Sequence, residues 1–119
     1  MAERVIDMKK TVYLNEFVED MTREGYGFSY KGAEALFNYF EEQEEECGID
    51  IEYDPIAFRC EYTEYDSIDE VFENYYTIRD DHWTDEEYKE ADEEEKIEYL
   101  RGFTQVIELD NGGIIIQDF

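Results

Sequence analysis

Val106-Ile107-Glu108-Leu109-Asp110-Asn111-Gly112-Gly113-Ile114-Ile115-Ile116-Gln117 is the stretch whose reading decides the fold. Two runs rich in strand-forming residues flank Asp110 to Gly113, a group whose residue types tolerate positive φ and close tight turns. Residues 103–109 and 114–119 therefore read as an antiparallel β-hairpin. An antiparallel pair following a run of helical signals gives an α+β architecture. The expected form is one domain over residues 1–119, with about three antiparallel strands and three or four helices covering one face of the sheet.

Upstream of the hairpin, the best-marked helix opens at Ser29, a good N-cap, with Phe28 before it and Ala33 placed to form a hydrophobic staple. Ala33, Leu36, Phe37 and Phe40 form its apolar stripe, and Gly48 suits a left-handed cap at its end. An earlier, shorter helix is expected after an extended piece near Thr11, with Asn15 as its cap and Phe17, Val18 and Met21 facing inward. Residues 49–62 read as extended, because Ile56, Phe58 and Cys60 alternate with Ala57, Arg59 and Glu61, and Pro55 suits a first or edge position. Ser67 to Glu70 and Thr84 to Glu87 have the form of capping boxes. The first opens a helix with Ile68, Val71, Phe72 and Tyr75 inside. The second leads into a single helix over 88–100 with Tyr88, Ala91, Ile97 and Leu100 as apolar positions.

At 119 residues the chain is long enough to bury roughly two-thirds of its unfolded surface without a disulfide or metal. Its 42% apolar and 17% aromatic content sets it apart from disordered acidic tails, which lack the apolar area to offset chain entropy. The outlying feature is charge: thirty-five Asp and Glu against ten Lys and Arg, a formal net charge of -25. Solubility alone asks for a magnitude of only about 2–8 in a small domain. Residues 1–10 carry no apolar run, and nowhere does the chain approach the roughly 20 apolar residues of a membrane span, so a cytoplasmic protein is expected.

Catalytic readings find little to build on. His82, the only histidine, lies in Asp80-Asp81-His82-Trp83 and reads as a loop residue without a nucleophile's surroundings. Cys47 sits among carboxylates at a helix C-terminus, where the thiolate is disfavoured, and Cys60 reads as a buried strand residue. The two cysteines and one histidine lack zinc-site spacing. Asp50, Glu52 and Asp54 lack the glycine turn and final glutamate of a calcium loop. So many acids guarantee some pair at glycosidase spacing, which removes its diagnostic value. Gly25-Tyr26-Gly27 is too short to cradle a phosphate. Direct nucleic-acid binding is opposed by the charge. The expectation is a non-enzyme with no cofactor and no specific metal.

The acidic surface remains. Between residues 41 and 98 there are 25 carboxylates against Arg59, Arg79, Lys89 and Lys96. Carboxylates at i and i+4 repeat about every 6 Å along a helix, and duplex DNA carries one charge per ~1.7 Å of axis. Several such rows approach the field of a short duplex. Tyr53, Tyr62, Tyr65, Tyr75, Tyr76, Tyr88 and Tyr99 are interleaved with the acids, and any exposed ones supply amphipathic anchors.

The runs Phe28-Ser29-Tyr30-Lys31-Gly32-Ala33-Glu34-Ala35-Leu36-Phe37-Asn38-Tyr39-Phe40-Glu41-Glu42, Asp54-Pro55-Ile56-Ala57-Phe58-Arg59-Cys60-Glu61-Tyr62-Thr63-Glu64-Tyr65 and Gly113-Ile114-Ile115-Ile116-Gln117-Asp118-Phe119 resemble a family of small acidic proteins from phages and mobile elements. The resemblance brings no catalytic motif. In charge, size and context it is similar to DNA-mimic antirestriction and anti-CRISPR inhibitors, which implies a restriction enzyme or CRISPR effector as partner. The residues expected to meet that partner are Glu41, Glu42, Glu45 and Glu46 as one row, Asp66, Asp69 and Glu70 at a short helix start, and Asp80, Asp81, Asp85 and Glu86 as a third group. The other reading of the same surface is a non-catalytic adaptor or chaperone for a basic host protein. Either way, self-repulsion opposes folding and salt screens it over a Debye length of about 8 Å. The melting temperature is expected to rise between low and moderate salt in a calorimetric scan, and a flat or falling trend contradicts the repulsion argument.

Overall fold

Ile114, Ile115 and Ile116 are 1%, 0% and 0% exposed, so the strand they form is buried on both faces, and this sets the layering. The computed structural model describes residues 5–7, 11–48 and 51–119. The chain runs β1 (Val5–Asp7), β2 (Thr11–Tyr13), α1 (Leu14–Met21), α2 (Tyr30–Cys47), α3 (Pro55–Glu61) and β3 (Tyr62–Tyr65). It continues through α4 (Ile68–Asn74), α5 (Tyr76–His82), α6 (Asp85–Glu90), α7 (Glu93–Arg101), β4 (Val106–Glu108) and β5 (Ile114–Gln117). β5 is the centre of a three-stranded antiparallel sheet ordered β3-β5-β4. Ile115 lies opposite Glu64 on one side and Ile107 on the other. β1 and β2 form a separate antiparallel pair. The class is α+β with the expected hairpin, but the described residues form seven helices rather than three or four.

Successive side chains of a strand point to opposite faces. Ile115 joins one apolar cluster, with Phe17, Val18 and Met21 of α1, Leu36, Phe37 and Phe40 of α2, Phe58 of α3, Tyr62 and Leu109. Ile114 and Ile116 join the other, with Tyr65, with Ile68, Val71 and Phe72 of α4, and with Trp83, Ile97, Leu100 and Val106. Helices therefore cover both faces of the sheet, not one. A continuous apolar run is what a central strand needs when neither face meets water.

Local chemistry explains the other departures. The expected strand at 56–60 is the helix α3. Asp54 caps it, its Oδ1 accepting from the Ala57 N–H at 3.2 Å, and Pro55 stands in its first turn, where its missing N–H costs nothing. Phe58 is buried, but Ile56 is 60% exposed and Cys60 is exposed as well. The period-two pattern was therefore a coincidence of composition. Ile49 and Asp50, at the start of that segment, lie outside the described residues, as do 1–4 and 8–10. The single helix expected over 88–100 is two, because the Asp92 side chain accepts from the Glu95 N–H at 2.8 Å and opens α7 afresh. Asn15 lies inside α1, whose cap position is Tyr13 without a side-chain cap bond. Tyr75 ends α4 and begins α5, which runs on to the His82 expected in a loop.

α2 begins as expected. The Ser29 Oγ accepts from the Gly32 N–H at 3.0 Å, while Glu64 of β3 accepts from the Ser29 N–H at 2.9 Å. A Cβ on Gly32 would stand 1.7 Å from the Glu64 Oε1, so glycine is what lets that carboxylate reach the helix start. Phe28 and Ala33 are both buried in the first cluster, and Gly48 ends the helix at φ 64°. Because both faces of β5 are packed, Ile115→Ala and Ile116→Ala are each expected to cost about 2–5 kcal/mol in urea unfolding. A sheet covered on one face would tolerate one of these two neighbours.

Candidate partner-binding surface

Most of the acids at helix starts have a folding role. Free N–H groups and the positive end of the helix dipole favour carboxylates in a first turn. Asp69 and Glu70 occupy that turn in α4, Asp85, Glu86 and Glu87 in α6, and Glu93, Glu94 and Glu95 in α7. Thr84 and Glu87 complete a reciprocal capping box, at 3.2 and 3.0 Å, and the bond to the Thr84 backbone holds the Glu87 carboxyl below its ordinary range.

The last two turns of α2 are different. Glu41, Glu42, Glu44, Glu45 and Glu46 crowd the negative end of an 18-residue helix that has no basic residue in its last turn. Each such placement is unfavourable by about 0.3–1 kcal/mol. Glu44 accepts from the Ile51 N–H at 3.3 Å and ties down the following segment. Glu42, Glu45 and Glu46 are exposed and Glu41 is half-buried. At 100° per residue, Glu41 with Glu45 and Glu42 with Glu46 make two adjacent rows where the sequence reading took one.

The second and third groups lie across the sheet from α2, on helices of the other cluster. Asp66 is exposed just before α4, and Glu70 is half-buried. Asp69 is held in place: its Oδ1 accepts from the Tyr88 hydroxyl at 2.5 Å and from the Lys96 Nζ at 3.0 Å. Lys96, 9% exposed at its side chain, also lies over the Tyr88 ring at 3.9 Å. These bonds join α4, α6 and α7. The Tyr88 hydrogen bond first, and then Lys96, hold the Asp69 carboxyl below its ordinary range, while burial and the bond to Asp69 push the Tyr88 phenol up. Asp80 pairs with Arg79 at 3.1 Å, and Asp81, Asp85 and Glu86 are exposed.

A further acidic face escaped the sequence reading because its members are distant in the chain. Glu108, on the edge strand β4, lines one groove with Lys31, Glu34, Asn38 and Asp110, and a second with Glu93, Glu94 and Glu98. Arg101 bridges Glu108 at 2.7 Å and Glu98 at 3.7 Å. The buried Asn38 Oδ1 has no hydrogen-bond partner among the described residues. Charges on a short edge strand also block strand-to-strand association.

Residues with catalytic potential are dispersed. His82 is not a loop residue; it ends α5, is exposed, and stacks on Tyr99 at 4.2 Å. Cys47 and Cys60 are free and exposed. Among the described residues no three His, Cys, Asp or Glu side chains converge on a metal-sized site, and no helix is long and apolar enough to cross a membrane. Of the interleaved tyrosines, Tyr62 and Tyr65 are core, Tyr53, Tyr75, Tyr88 and Tyr99 are half-buried, and Tyr76 is exposed.

Asp69→Asn leaves the buried Lys96 ammonium without its anion. Since Asp69 is itself 62% exposed, water screens the pair and the expected loss is about 1 kcal/mol. A lowered folded-state pKa means this contribution is full above the ordinary carboxylate value of about 3.9 and disappears as pH falls through the lowered one. The stability gap between the two proteins in urea unfolding is therefore expected to be constant at neutral pH and to close in acid; a gap that persists at the lowest pH contradicts the assignment. No family model, curated protein or solved structure matches the chain.

Proposed function

We propose that the protein is a non-catalytic acidic ligand for a basic, nucleic-acid-binding protein surface, acting as a phage-type inhibitor of a host defence nuclease of the restriction or CRISPR class. The observation that carries this is the end of α2. There Glu44, Glu45 and Glu46 share one last turn that holds no basic residue, where the helix dipole disfavours them, a denser crowding than at the end of any other described helix. A surface that costs stability and is kept exposed fits a binding role. The excess of 25 negative charges supports fast, salt-sensitive capture of a basic groove. The resemblance to small acidic phage proteins supplies the partner class.

The test separates binding from folding because they move in opposite directions. Glu42→Lys/Glu45→Lys/Glu46→Lys places cations at the negative helix end, so its melting temperature is expected to rise. Its protection of DNA from cleavage by the target nuclease is expected to fall by tenfold or more, about 1.4 kcal/mol of binding. A more stable variant that still inhibits refutes this surface. Weak association of the wild type with many basic proteins, without inhibition of any nuclease, favours the adaptor or chaperone instead.

A further inference from the structure

Two phenylalanines stand side by side on the surface, Phe103 at 44% and Phe119 at 48% exposure. Unlike tyrosine, neither has a polar atom to reward contact with water. Their rings stack at 5.8 Å and 19°. Phe119 also stacks on Tyr75 at 4.4 Å and 9°, and Phe103 meets Tyr99 edge-on at 5.2 Å. Tyr99 in turn carries His82 at 4.2 Å. The result is a continuous aromatic ridge assembled from α5, α7, the turn after α7 and the residues after β5. It is bordered by acids: Asp118 and Asp81 lie close enough to Tyr75 and Tyr99 to act on their phenols. Asp118 is itself fixed by the Thr63 hydroxyl at 2.8 Å.

Charge selects the occupant. A single-stranded nucleic acid would find the rings but is repelled by a chain of net charge -25. A second copy of the chain brings the same charge and is repelled as well. A basic protein surface is attracted, and among basic side chains arginine fits best. Its flat, weakly hydrated guanidinium lies along aromatic carbon while its N–H groups bond neighbouring carboxylates, whereas lysine is a compact, strongly hydrated charge. The chain sets both kinds of cation on its own rings: the exposed Arg59 lies over Tyr26 at 5.0 Å and Arg79 over Tyr88 at 5.6 Å, while Lys96 approaches Tyr88 at 3.9 Å only as a buried side chain already paired with Asp69.

We propose that the ridge Tyr75–Phe119–Phe103–Tyr99–His82 is a docking surface for arginine side chains of the basic partner. The inference rests on the acidic-ligand reading and adds what that reading lacks, a contact that tells arginine from lysine.

Oligoarginine and oligolysine peptides of equal length serve as probes, titrated against the full chain at several salt concentrations. Charge alone binds both with similar affinity and similar salt dependence. The ridge is expected to favour oligoarginine by about five- to tenfold, the scale of one or two exposed cation–π contacts. Phe103→Ser/Phe119→Ser is expected to abolish that preference while leaving oligolysine affinity and the salt slope unchanged. Phe103→Leu/Phe119→Leu, which keeps the apolar area and spares the fold, is expected to abolish it too. No arginine preference in the wild type, or a preference that survives in the leucine variant, overturns the ridge and leaves the acidic reading standing. Failure of both peptides to bind at low salt overturns the acidic reading and the ridge with it.

Discussion

β5 contributes Ile115 to one apolar cluster and Ile114 and Ile116 to the other, so the two helical layers are packed against a common strand of four residues. That arrangement matters more here than in a neutral protein. Carboxylates repel their neighbours over about a Debye length, roughly 8 Å in physiological salt. The molecule measures 49 by 31 by 26 Å, and charges at its far ends are screened from one another. Repulsion therefore acts locally, element against element, and has to be opposed locally. A strand buried on both faces gives every layer apolar contact within reach of its own charges.

The same economy explains where the acids stand. Helices in this chain are short, so it has many helix starts, and each start welcomes a carboxylate. Asp54 and Asp92 cap, Glu64 reaches the start of α2, and Glu87 closes a capping box. Much of an extreme charge is thereby put to structural use. Acids also stand in the last turns of other helices, as Glu19 and Asp20 do in α1 and Asp80 and Asp81 in α5, but the end of α2 is the most crowded, and that crowding, rather than the total charge, is what the proposed binding surface rests on.

The sequence signals that proved legible were those with a mechanism confined to a few neighbouring residues. Ser29, Ser67, Thr84 and Gly48 behave as caps because capping is decided within one turn. The Asp110 to Gly113 turn follows for the same reason. The failures came where two local signals competed or where tertiary contact decided. At Asp54-Pro55 a cap and a helix-starting proline overrode the alternation of Ile56, Phe58 and Cys60. The Ile114 to Ile116 run, read only as strand, also announced a strand packed on both sides. Asp92, placed among acids, looked like another charge and was a cap. At the candidate site, the exposure of Glu42, Glu45 and Glu46 follows from helix periodicity. The commitment of Asp69 to Tyr88 and Lys96 does not, because it joins residues 19 and 27 positions apart. The acidic groove around Glu108 and the ridge at Phe103 and Phe119 likewise exist only once the chain has folded.

Carboxylates and aromatic rings do different work in the proposed contact. Long-range charge raises the rate of encounter with any basic surface, and by itself distinguishes poorly between basic partners. Discrimination has to come from short-range geometry that a wrong partner leaves unmatched. The α2 acids belong to one side of the sheet and the aromatic ridge to elements of the other cluster, so the two functions are physically separable. A partner offering only positive charge would engage the acids and leave Phe103 and Phe119 exposed to water. One carrying arginine at the right spacing would cover them, and that additional burial, not the attraction common to both, is what would make the complex selective.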